Sequence, residues 1–217
     1  MPVTRSLGRA AVLLAALALP SGAQSRPTDG YHTAARLGTV LDSIARAKPA
    51  LVKVSTLATS PGRRPVHLVR LGGAEEKPAL LILAGAYGPQ VSSSEVALRI
   101  VRDLARRHGS DTSVTRMLAA QTIYVIPRLN PDASEAFFGA VRNERKGNDT
   151  ASDDDRDHVT DEDGPDDLNG DGLITMMRVR AVDGEWIPDA VDPMLMRRAD
   201  AARGERGIYK LLTEGRD

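Results

Sequence analysis

The densest chemistry in this 217-residue chain lies between Asp153 and Asp171, where ten carboxylates accompany a single arginine. Within it, Asp167, Asn169 and Asp171 set side-chain oxygens at alternate positions. Gly172 is free to take a tight turn there, and Ile174 stands where such a loop anchors itself in apolar surroundings. Oxygen donors at this spacing wrap a hard cation such as calcium. The position normally filled by a closing bidentate glutamate holds Arg178. An upstream set, Asp153, Asp155, Asp157 and Asp161, has similar spacing, with His158 in place of the turn glycine. Two readings follow: a calcium loop that ties down a long excursion of the chain, with the upstream carboxylates as a weaker set, or a solvated acidic linker.

A second concentration of polar groups sits at the ends of two apolar runs. Residues 79–85, ALLILAG, read as a strand covered on both faces, and TIYVI from Thr122 as another. The first leads through Tyr87 and Gln90 to Ser92 and Glu95, which have the spacing of a capping box and open a helix with Val96, Ile100, Val101 and Leu104 as its buried stripe. The second leads through Arg128 into a proline-containing turn at 130–132. Strand, helix and strand in this order predict an α/β sheet with helices on both faces, in which ligands bind beyond the carboxyl ends of the strands. Tyr87, Gln90 and the 128–132 turn fall there.

The flanking segments are simpler. Leu37, Val40, Leu41 and Ile44 recur at helical spacing until Lys48 and Pro49. Two Val-rich runs about Pro61 and Gly62 read as a hairpin. Past the acidic segment, Asp183 and Gly184 read as the turn of another hairpin, with Trp186 as a packing residue. The last twenty or so residues form a charged segment with no evident partner strand.

Composition restricts what the chain meets. Lysine plus arginine and aspartate plus glutamate number 29 each, so no overall field argues for nucleic acid or a membrane surface as partner. Arg5 and Arg9, the apolar run from Ala10 to Leu19, and Ser21-Gly22-Ala23 have the order of a secretory signal peptide cut after Ala23. This predicts an exported protein, periplasmic or extracellular, with a signal peptide at 1–23, a linker at 24–32 and one domain from 33 to 217. The acidic insertion occupies 149–175. The chain has no cysteine, so the core or bound ions must supply the stability.

Four pieces, in order, resemble the N-terminal half of a zinc carboxypeptidase domain of the carboxypeptidase A type. They are the first helix with its hairpin (KPALVKVSTLATSPGRRPVHLVRL), the strand, loop and helix LLILAGAYGPQVSSSEVALRIVRDL, the segment YVIPRLNPDASEAFF, and Arg145 with Lys146. The third is similar to the family's Asn-Pro-Asp-Gly, with Ala133 for the glycine. The resemblance implies a three-layer α/β/α mixed sheet, here incomplete, carrying the calcium-loop-like insertion. It also implies zinc as cofactor, a peptide as substrate, hydrolysis of C-terminal peptide bonds, and an oxyanion role for Arg145. The family's zinc-binding His and Glu are Tyr87 and Gln90 in this chain. A phenol and a neutral amide are poor replacements for imidazole and carboxylate. The four histidines, at 32, 67, 108 and 158, include no counterpart of the later histidine ligand. The resemblance therefore implies a silent or partial peptidase. A non-enzymatic, calcium-stabilised binding or scaffold protein on the same fold is the alternative. Oligomeric state has no signature in the sequence.

Overall fold

The structure, a computed structural model, describes residues 30–73, 76–153, 156–161 and 164–215. The expected signal peptide (1–23), positions 24–29 of the expected linker, and Asp155 lie outside the described residues.

Helix α1 (Ala34–Ala47) begins where the Thr33 side chain accepts from the Arg36 amide, and it buries Leu37 and Leu41. Strands β1 (Val52–Thr59) and β2 (Pro65–Leu71) form the expected antiparallel hairpin, with a register shift between Thr56 and Ala58. Strand β3 (Ala79–Leu83), helix α2 (Val91–Arg107), helix α3 (Thr112–Ala120) and strand β4 (Thr122–Ile126) follow. Asp111 caps α3 by accepting from the amides of Ser113 and Val114. Helix α4 (Pro131–Phe138) starts directly after β4, with Asn130 as its cap and Pro131 in the first turn, where a missing N–H costs nothing. The 130–132 segment is thus the start of a helix and not a simple turn.

The four strands form one mixed sheet in the order β1-β2-β4-β3, antiparallel except for the parallel pair β3 and β4. Val52, Val69, Leu71, Ile123 and Val125 line one face and meet Leu37 and Leu41 of α1, Ala97, Leu98 and Val101 of α2, and Val114 and Leu118 of α3. Each fully buried aliphatic side chain there contributes about 1.5–3 kcal/mol relative to exposure. All three helices therefore cover the same face.

On the opposite face Leu81 and Leu83 are 54% and 55% exposed. β3 is the edge of the sheet among the described residues and not the covered central strand its composition suggests. Its apolar run does not report burial, since Leu80, on the other face, is 49% exposed as well.

Two local expectations for α2 also change. The helix starts at Val91 with Gln90 as its cap and no side-chain capping bond, so Ser92 and Glu95 form no capping box. Glu95 instead accepts from the His32 amide and contacts His32 Nδ1, both at 2.8 Å, across 63 positions of chain. Val96 is 59% exposed, and the buried stripe runs through Ser94, Ala97, Leu98, Val101 and Ala105.

A second antiparallel sheet contains β5 (Met176–Arg180), β6 (Trp186–Pro188), β7 (Met196–Arg198) and β8 (Tyr209–Thr213) in the order β5-β8-β6-β7. β5 and β6 do not pair with each other about Asp183 and Gly184, because β8 lies between them. Gly184 is where the chain passes β8. A Cβ there would fall 2.4 Å from the Tyr209 nitrogen. The charged final segment thus has partners after all, and supplies both β7 and the central strand β8. No described helix is long and apolar enough to cross a membrane.

Candidate functional site

The carboxyl ends of β3 and β4 open into two loops that remain zipped together. Ala84 N–H donates to the Ile126 carbonyl, Leu129 N–H to that of Ala84, and Asn130 N–H to that of Gly85, each at 2.9 Å. Gly85 has φ +61°, and a Cβ on it would lie 2.7 Å from Ser94 Oγ and 2.8 Å from Arg128 Cα. Only glycine meets both demands. Beyond it, the Gln90 amide donates to the Tyr87 carbonyl at 3.0 Å, so residues 87–90 form a turn that delivers the chain to α2.

Tyr87 and Gln90 are both exposed at this turn. The Lys146 ammonium lies 5.8 Å from the centre of the Tyr87 ring, a cation–π contact. Lys146 is held in turn by Asn130, whose Nδ2 donates to the Lys146 carbonyl at 3.0 Å while its Oδ1 caps α4. The fold therefore gathers Tyr87, Gln90, Asn130 and the 145–146 segment beyond the carboxyl ends of β3 and β4. Arg145 ion-pairs with Asp149.

The Asp132 carboxylate, marked in the sequence only as part of Asn130-Pro131-Asp132, lies beside the 145–149 segment. Asp132 is fully buried and accepts four hydrogen bonds. Its Oδ1 takes the Ser60 hydroxyl at 2.6 Å and Arg64 Nη1 at 2.8 Å. Its Oδ2 takes the amides of Gly62 at 3.1 Å and Asp149 at 3.2 Å. Burial acts to raise the Asp132 carboxyl, but the bonds from Ser60, Arg64 and Gly62 outweigh it and hold it below the usual carboxylate range. The β1–β2 turn, the start of α4 and the 145–149 segment thus converge on one group.

Arg128, 2% exposed, is a second buried charge that spacing did not reveal. Its Nε donates to Ser94 Oγ at 3.2 Å and its Nη2 to the His32 carbonyl at 2.7 Å, with Glu135 3.9 Å from Nη1. Burial lowers its pKa, and Glu135 and Glu95 oppose the shift. Its role is to fasten the entry to α1 onto the strand ends.

The acidic segment is folded locally on its own amides. Asp167 Oδ1 accepts from Gly170 and Asp171, and its Oδ2 from Gly172. Asn169 Oδ1 accepts from the Asp171 amide, and Asp171 Oδ1 from that of Leu173. Gly170 and Gly172 take positive φ of 73° and 83°, as a tight loop requires.

A residue without any sequence signal closes the loop. Glu214, 4% exposed, accepts from Leu168 and Asn169 at Oε1 and from the Thr175 amide and hydroxyl at Oε2. The Thr175 amide leads the bonds that keep its carboxyl below the usual range. In the upstream set, Asp153 accepts from Arg156 and His158, Asp157 from Val159, and Asp161 from Ser152.

Among the described residues no three His, Asp or Glu side chains are grouped so as to hold a metal ion. The strand-end turn offers a phenol and a neutral amide, a donor set that does not fit a catalytic zinc. What it offers is an amphipathic ring, the Gln90 amide and the cations of Lys146 and Arg145.

Residues 37–169 match the zinc carboxypeptidase family. This chain, with its mixed sheet and strand-end loops, belongs to that family. It is 27% identical over 104 residues to carboxypeptidase A2 of Rattus norvegicus, covering 48% of this chain and 25% of that protein. To a zinc carboxypeptidase of Saccharothrix mutabilis subsp. capreolus it is 25% identical over 141 residues, covering 60% and 32%. It thus spans about a quarter to a third of the length of these relatives. Among solved structures, thrombin activatable fibrinolysis inhibitor matches with a TM-score of 0.52 at 18% identity, covering 60% of this chain and 32% of that one. Carboxypeptidase A from Helicoverpa armigera matches at 0.50 and 17%, covering 56% and 30%. At such identities the likeness is one of fold, and the fold is an incomplete carboxypeptidase α/β sheet.

Proposed function

We propose that this chain is an exported, peptide-binding member of the zinc carboxypeptidase family that has little or no hydrolytic activity of its own. The parent activity is zinc-dependent hydrolysis of C-terminal peptide bonds, and the family's expected cofactor is zinc. The observation that carries the proposal is the strand-end turn, where Tyr87, at a position the family resemblance gives to a metal donor as it does that of Gln90, is engaged by Lys146. A metal-activated water needs three protein ligands that fix the ion and leave one position open, and neither a neutral phenol nor an amide supplies that field. Arg145 and Lys146 are the groups that would meet a peptide carbonyl or carboxylate. Metal analysis and peptidase assays of the purified protein, with and without a chelator, test this. The expected result is substoichiometric zinc and no chelator-sensitive turnover. Stoichiometric zinc with chelator-sensitive turnover overturns it.

The acidic loop favours a second reading, a calcium-stabilised binding or scaffold protein, with Asp167, Asn169 and Asp171 as the ligands and Asp153, Asp155, Asp157 and Asp161 as a weaker set. Its support is the alternation of three oxygen-bearing side chains about two glycines at positive φ. An ion that binds only the folded state stabilises it by about 2.7 kcal/mol at a hundredfold excess over its dissociation constant. Calcium titrated into a thermal unfolding assay should raise the midpoint progressively and Asp171→Asn should blunt the rise. A midpoint indifferent to millimolar calcium removes this reading.

A further inference from the structure

Three segments far apart in sequence meet around Asp149, and their contacts run in a line. Arg64 Nη1 donates both to Asp132 Oδ1 at 2.8 Å and to Asp149 Oδ2 at 2.7 Å. The Asp149 amide is pinned to Asp132 Oδ2 at 3.2 Å, and its remaining oxygen, Oδ1, pairs with Arg145. Gly62 leaves no slack beside this line, because a Cβ there would fall 2.2 Å from both Arg64 Nη1 and Asp149 Oδ2. The Arg145 guanidinium is therefore paired, through Nη2, with a carboxylate whose other oxygen and whose backbone are already committed.

We infer that Arg64 is the positioning residue of Arg145. Holding Asp149 by one oxygen, Arg64 prevents a bidentate Asp149–Arg145 fork, the geometry a free guanidinium and carboxylate prefer. Arg145 keeps donors that Asp149 does not occupy, on the segment where Lys146 contacts Tyr87. Without Arg64, Asp149 turns both oxygens to Arg145, which is drawn toward the β1–β2 turn and neutralised more completely. Arg64 itself touches no ligand. The functional weight of this coupling rests on the proposal that Arg145 meets a peptide carbonyl or carboxylate.

The test pairs a structural signal with a binding one. In the full chain the Arg145 Nε–H resonance, assigned by its loss in Arg145→Lys, is followed in Arg64→Met, Arg64→Lys and Asp149→Asn. The same proteins are titrated with acetyl-Ala-Phe bearing a free carboxylate. Arg64→Met and Asp149→Asn should both shift the resonance, and Arg64→Lys, which restores a donor to Asp149, should return it toward the wild-type position. A merely structural loss would not be rescued at that signal. Peptide affinity should fall about tenfold in Arg64→Met, the scale of one misplaced charge-assisted hydrogen bond. If the peptide does not bind the wild type but the resonance responds as described, the coupling stands and the peptide-binding proposal fails. If the resonance stays in place in folded Arg64→Met or Asp149→Asn, the inference is wrong.

Discussion

Replacing Asp132 by Asn keeps the shape of the side chain and removes two of its four acceptor functions. In the better of the two amide orientations, the remaining carbonyl oxygen still takes Ser60 and Arg64, while the new NH2 faces the amides of Gly62 and Asp149. Two backbone bonds are then lost at about 1 kcal/mol each, and the bond from Arg64 loses its charge assistance, roughly another 1 kcal/mol. The side chain is fully buried, so water does not make up the difference. The expected cost is about 3 kcal/mol, or roughly 6–12 °C in melting temperature for a chain of this size. Urea unfolding at pH 7, with the m-value checked for constancy, measures it. The sign with pH is fixed by the lowered Asp132 carboxyl. Its contribution is complete above the ordinary carboxylate range and is lost as pH falls through the depressed value, so wild type and Asp132→Asn should converge in acid. A variant within about 0.5 kcal/mol of wild type at pH 7, the range of an indifferent surface change, would refute the assignment of Asp132 as the organising group.

Three further outcomes are expected. Gly88→Ala should destabilise by about 1–3 kcal/mol, because its Cβ would fall 2.3 Å from that of Ala133, and Ala133→Gly in the same chain should recover part of the loss in chemical denaturation. The bidentate pair of Arg197 and Glu205 holds the Glu205 carboxyl at about 2, below its ordinary value of 4.5. The stability lost in Glu205→Gln should therefore be constant above pH 4.5 and vanish toward pH 2 in melting curves. His67 is pushed below its ordinary 6.5 by burial, with Asp42 opposing. Wild type should lose stability as pH falls below about 6.5, and His67→Gln should flatten that limb.

The parts of the fold that were legible in the sequence are those fixed by local periodicity. α1 followed the spacing of Leu37 and Leu41, and the hairpin followed the alternation about Pro61 and Gly62. Placement across the sheet was not legible, since the apolar run of β3 suits a covered strand and an edge strand equally. Glu95 shows why local rules misfire: the capping-box spacing was present, but His32 offered better partners 63 residues away. Asn130 and Pro131 did carry a helix-start signal, one that reading the segment as a turn obscured. At the candidate site, Tyr87 and Gln90 could be located from chain order, and the strand-end turn holds both. Asp132, Arg64 and Glu214 could not be given their roles, because each acts through partners about 40 to 70 positions away.

The closing of the acidic loop by Glu214 bears on how that loop comes into being. Its own turns are made within a few residues, yet the bonds that join its two ends reach 46 and 39 positions ahead, to a residue just past β8. During synthesis the loop is left ajar until β8 has emerged and found its place between β5 and β6. A short peptide cut from residues 165–176 is accordingly no miniature of the loop in the protein. An ion affinity measured on such a peptide would describe an open chain that must first pay to close.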